Sequence, residues 1–228
     1  MLISQLGSKL VMATKRIIIV DYKLGNLFSV NQALLNIGLN AEISSNPKEI
    51  LSADALVLPG VGAFRDAMSN LNYLNLIRPI IASVEAGKPF LGICLGLQLL
   101  FSESEEFGMT KGLGLVKGLV KRFSNTVSNG QTRKVPQIGW NRIYCVNGGS
   151  WNNGPLRSIR EGAFMYFVHS YYVEPEELVG LSQTNYEGQV YISSILKENI
   201  FACQFHPEKS AVEGLKIYDT WAELNNLK

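Results

Sequence analysis

The sequence predicts an α/β fold in which a parallel sheet is covered by helices on both faces. Two observations carry this. From residue 16 to residue 101, short β-branched or apolar runs alternate with segments whose apolar residues recur at helical spacing. Turn residues punctuate the alternation, Gly25–Asn26 after the first run and Pro59–Gly60 after the third. Folds of this kind gather their sites at the carboxyl ends of strands.

Residues 16–21 (RIIIVD) form a β-branched run that reads as a buried strand. Residues 27–37 have helical spacing and stop at Gly38. Residues 41–43 suit a second strand, 47–51 a short helix, and 53–58 (ADALVL) a third strand. Residues 63–86 are mostly helix-forming, with Pro79 as the expected break. Residues 89–94 (PFLGIC) form a fourth strand that continues as a helix over 95–101 (LGLQLLF). Beyond about residue 112, glycine-rich and alternating segments such as KVPQIGWNRIY and GQVYISSIL predict strands and hairpins, and 211–227 is again helical in pattern.

At 228 residues, 46% apolar and 18% charged, the chain is sized for one soluble domain with a sizeable core. Its 21 basic and 19 acidic residues leave a net charge of +2, without the electrostatic footprint of a nucleic-acid binder. Cys94, Cys145 and Cys203 are too scattered for a disulfide framework and lack metal-type pairing. A reducing, cytoplasmic setting is expected, with no metal and no cofactor. No apolar run approaches the roughly 18–20 residues that span a bilayer. The first 15 residues are broken by Gln5, Ser8 and Lys9 and lack the clean apolar stretch of a signal peptide. They are expected to be an extension, 1–15, ahead of a domain at 16–228; Met12 is the expected native start, because MATKRIIIVDY leads directly into the first strand.

Gly92-Ile93-Cys94-Leu95-Gly96 carries the strongest chemical signal. A cysteine between an apolar strand and a helix, with glycines two positions to either side, follows the logic of a nucleophile elbow. The turn strains the nucleophile's backbone and lifts its side chain above the sheet, where the first N–H groups of the helix favour a thiolate. Read alone, the pentapeptide suits a buried small hydrophobe equally well.

A thiol nucleophile needs a base, and the base needs an orienting acceptor. His206 and Glu208, in Gln204-Phe205-His206-Pro207-Glu208-Lys209-Ser210, can supply both. The other histidine, His169, lies among aromatics in Tyr166-Phe167-Val168-His169-Ser170-Tyr171-Tyr172 and reads as a hydrogen-bonded core or rim residue. Gly60, Val61 and Gly62, in Leu58-Pro59-Gly60-Val61-Gly62, could turn backbone N–H groups toward a developing oxyanion, with the Leu95 N–H as second donor. A strand-to-helix turn accounts for the same glycines.

Together, Cys94 in GICLGLQ, the distant HPEKS and the PGVG turn resemble the class I glutamine amidotransferases. The blocks VDYKLGNL, KVPQIGWN and YFVHSYY are similar to one branch, the glutaminase subunit of imidazole glycerol phosphate synthase. The likeness runs from about residue 16 to 225. It implies that family's fold, a central mostly parallel mixed sheet flanked by helices, with additional antiparallel strands in the second half. It implies a triad of Cys94, His206 and Glu208 acting on L-glutamine. Gln98 would touch the substrate's α-carboxylate region, backbone at Ser170 and Tyr171 would complete the pocket, and Glu106 would meet the α-amino group, although SESEE also reads as a solvated helix end.

The resemblance further implies a heterodimer with a (β/α)8-barrel cyclase or synthase subunit that receives the ammonia and forms imidazole glycerol phosphate in histidine biosynthesis. Asn26, Pro136, Trp140 and Lys209 fall in branch-specific blocks and would face that partner; Lys209 could equally be an exposed lysine at a helix start. Lys23 and Gln137 depart from the branch, which commonly has glycine and histidine there. The alternative is a paralogue feeding a sugar-modifying partner in surface-polysaccharide biosynthesis. A catalytically silent binding subunit is disfavoured by the intact triad.

Overall fold

The computed structural model of the protein describes residues 15–126 and 132–228; the proposed extension, apart from Lys15, and the Met12 start lie outside the described residues. The first half alternates as expected: β1 (Ile17–Val20), α1 (Leu27–Asn36), β2 (Ala41–Ser44), α2 (Pro47–Ser52), β3 (Ala55–Gly60), α3 (Phe64–Tyr73), α4 (Ile77–Glu85), β4 (Phe90–Cys94) and the single turn α5 (Leu95–Gln98). Strands dominate afterwards: β5 (Phe101–Ser104), β6 (Thr110–Lys111), β7 (Val116–Arg122), β8 (Gln137–Arg142), β9 (Tyr144–Cys145), β10 (Phe164–His169), β11 (Tyr171–Pro175), β12 (Gly180–Tyr186), β13 (Gln189–Lys197) and β14 (Ile200–Cys203). The closing helix is α6 (Ala211–Leu224).

The main sheet runs β2-β1-β3-β4-β14-β13-β11-β7-β5-β6, with β12 and β9 continuing from β13. β1 to β4 and β14 are mutually parallel, whereas β14–β13, β13–β11 and β11–β7 are antiparallel. β8 and β10 form a separate antiparallel ribbon. This is the α/β class read from the sequence, with a mostly parallel mixed sheet.

β1 shows why a β-branched run suits a central strand. Ile17 and Ile19 enter one core with Val30 and Leu34 of α1 and Ile217 and Trp221 of α6. Ile18 and Val20 point the other way, into a core with Ile50, Phe64, Leu71 and Ile80 from α2, α3 and α4. Both faces are covered, so polar alternation has no place in the strand.

Two helix boundaries differ from the sequence reading. The break within 63–86 falls at Leu74–Leu76, where Asn75 adopts φ 57°, and not at Pro79. Pro79 sits in the first turn of α4, where its missing N–H has no partner to lose. The helix expected over 95–101 ends at Gln98. The segment from Gly112 to Val116 takes the next carbonyls: Leu113 N–H donates to Leu99 O (2.8 Å), Val116 N–H to Leu100 O (3.0 Å) and Gly114 N–H to Phe101 O (3.2 Å). Sheet pairing therefore captures acceptors that a longer helix would have used.

Candidate active site

Cys94 ends β4 with φ 55° and ψ −107°, a strained conformation for a residue with a side chain. The flanking glycines are sterically required. A Cβ on Gly96 would lie 1.8 Å from the Leu58 carbonyl oxygen, and one on Gly92 would meet Ala202 Cβ at 2.9 Å. The strand-to-helix turn can thus pack against β3 and β14 only with glycine at both places. Because α5 is one turn long, the electropositive element beside the sulfur is its first N–H groups and not a long helix dipole.

His206 follows β14, the parallel neighbour of β4, and Glu208 follows on a 3-10 turn at Pro207–Lys209. Nδ1 of His206 lies 2.7 Å from Oε1 of Glu208, and both side chains are almost wholly buried. A proton on Nδ1 shared with the carboxylate leaves Nε2 for the thiol; Nε2 is buried and makes no hydrogen bond of its own. Burial alone would lower the His206 pKa. The neighbouring Cys94 sulfur and the Glu208 carboxylate outweigh that effect and hold the imidazole up to about 10.

A cavity of about 430 Å³ opens over the sulfur. It is lined by Val61, Gly62, Leu95, Gln98, Glu106, Ser170 and Tyr171, and also by Pro136 and Lys209 from the set assigned to the partner face. Gly60 lies behind the wall, its α-carbon covered by Tyr22: a Cβ there would stand 1.9 Å from the tyrosine oxygen. Asn26 and Trp140 are not part of the cavity lining. The Asn26 side chain accepts from Ser29 N–H at 3.3 Å and caps α1, and Trp140 borders a separate cavity with Arg142 and Lys216. Lys209 Nζ stands over the Tyr166 ring, 5.7 Å from its centroid.

Several of these residues hold one another in place. Gln98 Nε2 donates to Tyr171 O and to Gln204 Oε1, both at 3.0 Å, so its amide hydrogens are already engaged by the protein. Glu106 accepts from the first N–H of α3, that of Phe64, at 2.6 Å. Burial raises its carboxyl above the ordinary value, and the Phe64 hydrogen bond partly offsets this. SESEE is not a helix end: Ser102, Glu103 and Ser104 belong to β5. His169 is buried, with Nδ1 2.8 Å from Tyr171 O and Nε2 3.2 Å from Tyr191 Oη. Burial lowers its pKa to about 4, which keeps it neutral and in the structural role read from its aromatic surroundings.

Sequence reasoning missed Gln204, whose Nε2 lies 3.6 Å from the Cys94 sulfur, and the Val168 carbonyl, 3.8 Å from the same atom. An amide closing the apolar run IFAC was the available signal for Gln204. The two departures also have places. Lys23 adopts φ 71°, a conformation that favours glycine, and its ammonium pairs with Asp21 at 2.6 Å. Gln137 is buried and accepts from Tyr191 Oη at 3.0 Å.

A strained, cavity-facing cysteine beside a buried imidazole–carboxylate pair can perform nucleophilic acyl transfer. Comparison with known proteins agrees. The sequence pattern of the class-I glutamine amidotransferases matches residues 18–219. The chain is 44% identical over 210 residues to the imidazole glycerol phosphate synthase subunit HisH of Syntrophotalea carbinolica, covering 91% of this chain and 100% of that one. It is 48% identical over 208 residues to the subunit of the same name from Aquifex aeolicus, covering 90% and 95%. Among solved structures, one titled as a glutamine amidotransferase superposes with a TM-score of 0.69 at 16% identity, covering 92% of this chain and 98% of that one, a likeness of fold. The chain belongs to the class-I glutamine amidotransferases.

Proposed function

We propose that this chain is the glutaminase subunit of an imidazole glycerol phosphate synthase, hydrolysing L-glutamine to glutamate and ammonia for a partner subunit. The observation that carries the reading is the placement of the Cys94 sulfur at the floor of the cavity with the His206–Glu208 pair buried behind it. The thiolate attacks the side-chain carboxamide carbon of glutamine, and the oxyanion is held by N–H groups near Val61 and Leu95. His206, oriented by Glu208, gives its proton to the departing ammonia, leaving a γ-glutamyl thioester on Cys94. Water then adds to the thioester with His206 as base, and glutamate leaves as the thiolate is restored. Glu106 receives the substrate's α-ammonium, and backbone at Ser170 and Tyr171 borders the rest of the molecule. Gln98 acts by anchoring the cavity wall.

The ammonia passes to a (β/α)8-barrel partner, and the cytoplasm, where the three unpaired cysteines remain reduced, is the compartment. Support for a partner on this side comes from Pro136 and Lys209 at the cavity rim and from Ile138 and Trp140, 60% and 53% exposed on the β8–β10 ribbon. Asn26, at the start of α1, is assigned to the same face. A sugar-modifying partner is the second reading; Lys23 and Gln137 favour it, as departures lying in the partner-face blocks.

Cys94→Ala and Cys94→Ser test the chemistry. Glutamine turnover in the presence of a barrel partner and its ligand should fall by at least about 10³-fold, while circular dichroism and melting temperature stay near those of the unaltered protein. Retained turnover in either variant rejects the nucleophile. Stimulation by a histidine-pathway cyclase, or only by a sugar-modifying enzyme, decides the acceptor.

A further inference from the structure

Strand β10 pairs with β8 alone, outside the main sheet, yet its last residues run beside the triad. The Tyr166 carbonyl accepts from the His206 backbone N–H at 2.9 Å, and the Val168 carbonyl lies 3.8 Å from the Cys94 sulfur. His169 ends the strand. Its Nδ1 lies 2.8 Å from the Tyr171 carbonyl oxygen. A carbonyl oxygen only accepts, so Nδ1 carries the imidazole proton.

The Tyr171 carbonyl depends on donors of this kind. Ser170 O is taken on the β7 side by the Phe123 N–H at 3.0 Å, and successive carbonyls of a strand point to opposite sides. On the other side β11 meets β13 only at Val173–Ile192. Tyr171 O therefore has no strand beside it and takes two side-chain donors instead, His169 Nδ1 and, at 3.0 Å, Gln98 Nε2. From there the bonds continue without a gap. Gln98 Nε2 also donates to Gln204 Oε1 at 3.0 Å, which turns Gln204 Nε2 toward the sulfur at 3.6 Å. The imidazole of His169 and the sulfur of Cys94 are the two ends of one chain of hydrogen bonds.

We propose that His169 is a positioning residue for the nucleophile: its Nδ1–H fixes the Tyr171 carbonyl and, through Gln98 and Gln204, sets the amide that faces the Cys94 sulfur. The proposal rests on the reading of Cys94 as the nucleophile. Without the imidazole the carbonyl keeps a single donor and drifts. Gln98 follows it, and the Gln204 amide loses its aim at the sulfur. The ring also packs against Phe123 and Phe167, a duty that an apolar side chain of similar size would meet.

His169→Leu and His169→Asn separate these duties. Leucine is apolar and close in size, whereas asparagine is smaller but keeps an N–H near the Nδ1 position. In the complex with the barrel partner, kcat for glutamine should fall about 10-fold or more in His169→Leu and stay within about threefold in His169→Asn. Alkylation of Cys94 by iodoacetamide, followed by mass spectrometry of its peptide, should rank the variants the same way. In a Gln204→Leu background, which cuts the chain, His169→Leu should slow alkylation no further. A reversed or level ranking, an equal loss in both backgrounds, or an unchanged alkylation rate confines His169 to packing and overturns the proposal. Alkylation reads the sulfur without turnover, so it tests the positioning separately from Cys94→Ala, whose retained turnover would reject the nucleophile. Should neither variant fold, nitrogen NMR of the His169 imidazole in the unaltered complex decides. A proton on Nδ1 upholds the proposal, and a neutral ring protonated on Nε2 overturns it.

Discussion

Nε2 of Gln204 donates to the sulfur of Cys94 across 3.6 Å, and Oε1 of the same amide accepts from Gln98 at 3.0 Å. The amide is thus fixed at both ends, and Gln98 is tied in turn to the Tyr171 carbonyl. The sulfur is aimed by a chain of hydrogen bonds as well as by its own backbone.

Gln204→Leu keeps the volume and removes both ends of that bridge. Glutamine turnover should show kcat reduced roughly 10-fold or more, with a smaller change in KM. Alkylation of Cys94 by iodoacetamide should slow in parallel. Unchanged rates in both assays would make the contact incidental.

Glu106 has two duties in this reading, capping α3 and receiving the α-ammonium of glutamine. Glu106→Gln retains an oxygen acceptor for the Phe64 N–H but loses the charge. KM for glutamine should rise about 10- to 100-fold with kcat nearly constant, the size expected for a lost charge-assisted bond. A normal KM accompanied by a lower melting temperature would confine Glu106 to the cap.

The two histidines give stability opposite pH dependences. His206 is raised from 6.5 to about 10, so its contribution is complete below about 6.5 and is lost as pH climbs toward 10. His169 is lowered from 6.5 to about 4, so its contribution is complete above about 6.5 and is lost as pH falls toward 4. Urea midpoints should therefore peak near pH 6.5. In Cys94→Ala, which removes the sulfur whose proximity helps lift His206, the alkaline decline should shrink; an identical decline would assign it to other groups.

Gly96→Ala would place a methyl 1.8 Å from a backbone carbonyl in β3, where nothing flexible can yield. Loss of at least about 3 kcal/mol of stability, or failure to fold, is expected by thermal or urea unfolding. A near-normal melting temperature would show that the elbow can relax.

What the sequence made legible was local. The doubly buried strands announce themselves because both faces need apolar residues, as the alternating partners of Ile17 and Ile18 show. The elbow is legible because two close backbone approaches demand Gly92 and Gly96. Features set by partners distant in sequence were hidden. The stop at Gln98 depends on N–H groups of residues 113–116, and the duty of Gln204 depends on an atom 110 residues away. Pro79 misled because proline is disfavoured inside a helix but tolerated in its first turn.

β4 and β14 are paired with Ile93 opposite Cys203, so one step further along brings Gln204 level with Cys94. The distances at the sulfur are consequently quantised by strand register and cannot be tuned continuously. A slip of a single residue would present Cys203 to Cys94 in place of an amide, setting two thiols side by side where oxidation could join them. The neighbouring strand's register thus keeps Cys94 level with an amide and apart from a thiol with which it could form a disulfide.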